Sequence, residues 1–164
     1  DRHSYAIAQE TFYRNVSLQS CLDIGLKIAG DTLAWWMGQS DAARTALYNP
    51  TPIRIGEALM ELRRYYTGAN CVWSHGVTFD VVMLQFCFTR VFTPDGRPPW
   101  HYRKARDTRT LFDEDVTPGY YDTEKGFREQ AKEGVAHNAL DDAIEQAKWV
   151  QRAFRLLKEG RHGA

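Results

Sequence analysis

Residues 71–80 read Cys71-Val72-Trp73-Ser74-His75-Gly76-Val77-Thr78-Phe79-Asp80, and their order points to the fold class. Cys71-Val72-Trp73 reads as a short buried strand. Ser74-His75-Gly76 reads as a turn, because glycine tolerates backbone angles that other residues avoid. From Thr78 or Asp80 to about Val91 the chain is apolar nearly all round, which predicts a central helix. A strand feeding a helix through a tight turn is the unit of α/β folds. Upstream, Thr51-Pro52 can open a helix to about Tyr66, with Ile55, Ala58, Leu59, Leu62, Tyr65 and Tyr66 as its apolar stripe. Further back, Ser40-Asp41 caps a helix over residues 42–48, Asp31-Thr32 caps one through Met37, and Ser17 to Gly25 is a short helix or turn. Tyr5 to Val16 is a strand region, with Phe12, Arg14 and Val16 on one face and Tyr13 on the other. Downstream, Thr93 to Pro99 is an exposed loop. An extended stretch lies near Tyr102 to Ala105, and a helical turn runs from Asp107 to Phe112. Residues 113–133 are polar and poorly periodic. A last helix from about Asn138 to Leu157 carries the stripe Ala143, Ala147, Val150, Phe154 and Leu157.

The composition narrows the classes. In 164 residues, 43% are hydrophobic and 13% aromatic, too many for a disordered chain. Residues 1–164 therefore read as a single domain. Twenty-one basic and 21 acidic residues cancel, which argues against sequence-blind nucleic-acid binding through bulk charge. No apolar run reaches the roughly 18 residues of a membrane span, and no membrane partner is expected. The first residues show no signal-peptide pattern. Cys21, Cys71 and Cys87 have no metal-ligand spacing and read as reduced, buried thiols of a cytoplasmic protein. Asp1 to Ser4 look like the tip of a hairpin whose first strand is missing, so the domain is expected to be N-terminally truncated.

Two constellations can carry chemistry. In the first, Asp80 follows the Gly76 turn at the mouth of a helix, where any acid is favoured by unpaired N–H groups and the helix dipole. In the second, Ala136-His137-Asn138-Ala139-Leu140-Asp141-Asp142-Ala143, a histidine precedes a helix with two acids in its first turn. Asn138 can cap it. Two adjacent acids exceed what a cap needs, and Asp142 borders the apolar position Ala143. Carboxylates from separate elements near a histidine suit Mg²⁺ or Mn²⁺, which prefer oxygen ligands.

His137-x-x-x-x-Asp142 with an apolar helix behind it resembles the third motif of the DEDDh 3′-5′ exonucleases, and Phe79-Asp80 after a strand and glycine turn resembles their second. The chain is similar to one branch in particular, small phage and bacterial exonucleases related to a mycobacterial 3′-5′ exoribonuclease. The stretches that carry this are Thr11-Phe12-Tyr13-Arg14-Asn15-Val16, Thr32-Leu33-Ala34-Trp35-Trp36, Arg106-Asp107-Thr108-Arg109-Thr110-Leu111 and Gly134 to Ala143.

The resemblance implies an α/β, RNase H-like mixed sheet flanked by helices, with N-terminal strand content absent from this chain. It implies two-metal phosphodiester hydrolysis with two Mg²⁺ or Mn²⁺ ions. Asp80 and Asp142 would be metal ligands, and His137 the general base, a group that titrates near neutral pH. The partner would be RNA or DNA with a free 3′ end, and relatives make a homodimer an expected assembly. Trp36, His75, Phe79 and Arg106 are assigned to substrate binding. For Trp35 and Trp36 two readings stand: one packs while the other stacks on a base, or both are buried between elements. The basic stretch His101, Arg103, Lys104 and Arg106 either meets phosphates or is a solvated loop. Asp107 reads as a structural acid, pairing with Arg109 or capping the next turn. One family feature is missing: nothing in residues 1–10 matches its Asp-x-Glu motif. The alternative is a catalytically inactive nucleic-acid- or protein-binding module on the same fold. An unrelated α/β enzyme built on the His-Asp pair is a third reading.

Overall fold

A computed structural model describes residues 10–48, 51–67, 69–113, 115–118 and 138–160. Strand β1 is Val72–Ser74 and β2 is Ala105–Asp107. They pair in parallel, with Val72 opposite Ala105, Trp73 opposite Arg106 and Ser74 opposite Asp107. A parallel pair needs a long crossover, and here it contains helix α5, Asp80–Val91, the Thr93–Trp100 loop and a 3-10 turn at Tyr102–Lys104. The remaining helices are α1, Leu18–Asp23; α2, Gly30–Met37; α3, Asp41–Leu47; α4, Ile55–Tyr65; α6, Thr108–Leu111; and α7, Ala139–Gly160.

Successive strand residues point to opposite faces, and β1 uses both. Val72 faces a core of Leu59 from α4, Val81, Cys87 and Phe88 from α5, and Trp100. Trp73 faces a second core of Leu111, Phe112 and Ala153, with Trp149, Val150 and Leu157 beside it. The strand pair thus sits between an α4/α5 layer and an α6/α7 layer, an α/β arrangement. Phe88 and Leu59 are essentially inaccessible at 0% and 1%. Each such burial stabilises by about 1.5–3 kcal/mol. Gly96 lets the crossover loop lie on α5: a Cβ there would fall 2.3 Å from the Phe88 carbonyl oxygen.

Several expectations are corrected. The strand expected at Tyr5 to Val16 is, over residues 10–17, an irregular segment with a single parallel bridge, Val16 to Ile53; residues 1–9 lie outside the described set. Phe12 still packs, stacking on Tyr65 at 5.3 Å. That bridge also explains why α4 begins at Ile55 and not at Pro52. Ile53 donates to the Asn15 carbonyl at 3.1 Å and accepts from Ser17 at 2.8 Å, so it must stay extended. Helix α2 starts at Gly30 with Ala29 at its N-cap, and Asp31 falls in the first turn.

Helix α5 has the expected bounds but is not enclosed. Val81, Cys87 and Phe88 are buried, whereas Val82, Met83 and Phe86 are exposed along the opposite side. The stripe of α7 holds in part: Val150 and Leu157 pack beside fully buried Ala153, and Phe154 meets Trp73 edge-on at 5.9 Å, while Ala143 is exposed and the buried face widens to include Trp149 and Ala153. The reason is that α7 packs on α6 and Trp73, so the side that turns inward is set by Phe112 and Leu111. Of the thiols, Cys87 is buried and Cys21 and Cys71 are half-buried; all three are free. Most of the polar stretch 113–133 lies outside the described residues. No described helix is long and apolar enough to cross a membrane.

Candidate active site at the strand ends

In open parallel sheets, ligands bind beyond the carboxyl ends of the strands. Here β1 ends at Ser74 and β2 at Asp107, side by side. The chain leaves β1 through Gly76, whose φ of +117° lies where side chains are strained. The Gly76 carbonyl accepts from Phe79 at 2.8 Å and from Asp80 at 3.1 Å, and these bonds close the turn and start α5. Asp80 is the first residue of α5, and Phe79 at the N-cap offers no side-chain cap. The acid is exposed at the positive end of the helix dipole.

The turn is held from β2. The Asp107 carboxylate accepts from the Arg109 N–H at 3.0 Å, which caps α6, and from the Val77 N–H at 2.9 Å, which lies across the sheet edge. Burial works to raise the Asp107 pKa. The backbone N–H groups of Val77, Arg109 and Gly76, with the Arg109 charge, outweigh it and hold the group below its ordinary 3.8. His75 Nδ1 lies 2.9 Å from Thr108 Oγ1, and its ring tilts against Phe112 at 6.0 Å. The Arg109 guanidinium lies over Gly76, about 3.4 Å from where a Cβ would stand. The capping reading of Asp107 therefore holds. Its bond to Val77 was not foreseen, since nothing in local spacing links positions 30 residues apart. Ser74 Oγ is buried at the same edge with no hydrogen-bond partner among the described residues.

The second constellation opens α7. Asn138 Oδ1 accepts from Leu140 at 3.0 Å and Asp141 at 3.3 Å, as a cap should. Asp141 and Asp142 are both half-buried, so burial does not separate them. Ala143, next in sequence, lines two grooves. One, of about 260 Å³, also involves Leu84, one turn beyond Asp80 on α5. The other, of about 270 Å³, involves Trp73 and Thr108. Ala143 thus lines one groove with Leu84 of α5 and another with Trp73 and Thr108, the partner of His75. His137 lies outside the described residues. Among the described residues, no group of three or more His, Cys, Asp or Glu side chains converges to hold a metal ion. Asp80 and Asp142 have the oxygen chemistry that Mg²⁺ or Mn²⁺ prefers, but the described donors do not make up a complete site.

The residues assigned to substrate are placed as follows. His75 and Phe79 flank the turn, and Phe79 is 66% exposed. Arg106 is exposed on β2, with its Nη1 donating to the carbonyls of Arg103 and Ala105 at 2.6 and 2.9 Å. Trp36 is half-buried and Trp35 is 47% exposed; their rings meet edge-on at 5.0 Å. Helix α2 buries no residue, so the reading in which both tryptophans are enclosed between elements is corrected. These two stand apart from the strand-end cluster in sequence, and none of the site contacts above involves them.

Neither the curated proteins nor the solved structures include a match to this chain. The model of the 3′-5′ exoribonuclease Rv2179c-like domain matches residues 4–154, a span that contains every element described above except the last turns of α7. The match agrees with the exonuclease part of the resemblance read from the motifs: the chain belongs to the Rv2179c-like 3′-5′ exoribonuclease family.

Proposed function

We propose that the protein is a metal-dependent 3′-5′ exonuclease of the DEDDh type that removes nucleotides from the 3′ end of single-stranded or overhanging RNA. The observation that carries the reading is the strand-end site within the matched span. Asp80 heads α5 off a glycine turn, and Ala143, the residue after Asp142, lines one groove with Leu84 of α5. The family's printed name supports RNA over DNA. In this reading Asp80 and Asp142 offer carboxylate oxygens to Mg²⁺ or Mn²⁺, and His137 takes the proton of the attacking water. A divalent ion would supply charge stabilisation for the attacking and leaving oxygens. Phe79, exposed beside Asp80, offers a ring to the terminal base, and His75 borders the same edge. Mg²⁺ or Mn²⁺ held with any strength would need donors beyond the described residues.

A second reading is a catalytically inactive nucleic-acid- or protein-binding module on the same fold. One experiment separates them. The full-length protein is incubated with 5′-labelled single-stranded RNA, with a free or a blocked 3′ end, in Mg²⁺ or Mn²⁺. Stepwise shortening of the free-ended strand, arrested by chelator and by Asp80→Asn, is the expected result. Binding of both strands with no shortening of either would sink the exonuclease reading and leave the module.

A further inference from the structure

We propose that Asp107 is a positioning residue for Asp80: its carboxylate locks the 75–79 turn to the end of β2 and so fixes how α5 begins. The effect on turnover rests on the exonuclease reading above; the structural part does not. Gly76 has no side chain and a positive φ, so the hinge of the turn carries no side-chain contact of its own to the sheet. Its internal bonds, from Phe79 and Asp80 to the Gly76 carbonyl, define its shape but not its direction relative to the sheet. Direction needs a bond from outside.

Three side chains in a row provide it. Asp107 splits its two oxygens between elements, Oδ1 to the Arg109 N–H and Oδ2 to the Val77 N–H. Thr108 Oγ1 is bonded to His75 Nδ1, at the near end of the turn. Arg109 lays its guanidinium against Gly76, at the hinge. Of the three, only Asp107 reaches the backbone beyond Gly76, on the side that leads to Asp80. Hydrogen bonds to a charged acceptor are the strong ones, and this one joins two strand ends 30 residues apart in sequence.

The two oxygens can be separated by substitution. Asp107→Ser keeps a good N-cap for α6 but is too short to reach Val77. Asp107→Asn also caps well, yet can turn only one acceptor toward two N–H groups. The full chain, isotope-labelled, is followed by amide hydrogen exchange near neutral pH. In both variants exchange at Val77, Phe79 and Asp80 should rise together by about tenfold or more, as expected for loss of a charge-assisted bond. The Arg109 amide in the Ser variant, and the Leu59 and Phe88 amides in both, should stay protected.

Faster exchange at Val77 alone, with Phe79 and Asp80 unchanged, would overturn the proposal, since the bond would then hold one amide and not the turn. The second readout is turnover of single-stranded RNA. With the turn loosened, kcat should fall while KM holds. An unchanged kcat with all three amides loosened would equally overturn it. If the unmodified chain does not shorten RNA, the exonuclease reading fails and the exchange result alone decides the positioning role. Should one variant not fold, the other carries the test.

Discussion

Replacing Asp107 by alanine removes two bonds at once, and the structure fixes the size and pH dependence of the loss. The N-cap bond to Arg109 is worth about 1 kcal/mol. The bond to Val77 is to a charged acceptor, for which about 1.5–3 kcal/mol is typical; Asp107 is half-buried, so the lower end applies. The sum is about 2–3 kcal/mol, which for a chain of this size lowers Tm by about 5–10 °C. The sign with pH follows from the depressed carboxyl. Its folded pKa lies below the 3.8 of the free group. The stabilisation is therefore complete above 3.8 and is lost as pH falls through the folded value. Urea unfolding of both proteins near pH 7, then stepwise into acid as far as the fold persists, measures the gap. It should be full near neutrality and shrink below 3.8. A gap under about 0.5 kcal/mol at neutral pH, or one that persists undiminished in acid, would refute the two-bond account.

Gly96→Ala should destabilise by more than the about 1–3 kcal/mol of ordinary overpacking, because the new Cβ meets α5 backbone, 2.3 Å from the Phe88 oxygen and 2.6 Å from Thr89 Cα; a loss below 1 kcal/mol in urea would show that the loop moves off freely. Ser74→Ala should leave stability unchanged or raise it by up to about 1 kcal/mol, since it deletes a buried hydroxyl with no described partner; a clear loss would reveal a partner. Arg14→Ala should cost under about 1 kcal/mol despite the 2.5 Å contact with Glu61, as both side chains are a third or more exposed, and a thermal melt suffices to check it. On the exonuclease reading, Asp142→Ala should abolish RNA shortening while Asp141→Ala, outside the His137-x-x-x-x-Asp142 spacing, keeps it; equal loss from both, with folding intact, would overturn the assignment.

What could be read from the sequence was what is encoded locally. Ser40 caps α3 by accepting from Ala43, Asn138 caps α7, and α5 runs from Asp80 to Val91 as expected, because caps and breakers act within one turn. The misses are tertiary. Pro52 offered a good first helical position, but Ile53 is taken by the bridge to Val16, a partner no local pattern names. The strand at Ala105–Asp107 begins where the extended stretch expected at Tyr102 to Ala105 ends, because it is only three residues long and exists through its pairing with β1. The exposed side of α5 and the widened buried face of α7 have one cause. Apolar content shows that a helix has a face to bury, while the neighbouring elements decide which face is buried.

The site divides along the same line, and the division is informative about how it works. Asp80, Asp141 and Asp142 were legible as first-turn acids, because an acid in a first helical turn is a local signal, stabilised by its own helix before any function is asked of it. That same local stability means the helices would form whether or not the carboxylates faced one another. Aim has to be imposed from elsewhere. For Asp80 the imposing group is visible: Asp107, reaching Val77 from the neighbouring strand, with Thr108 on His75 and Arg109 over Gly76. Sequence separation hid that arrangement, since Asp107 read alone is a sufficient cap for α6. A residue that satisfies a local rule can therefore be doing a second job across the sheet. Here that second job connects Asp107, Thr108 and Arg109, part of a stretch that carried the family resemblance, to the turn that presents Asp80.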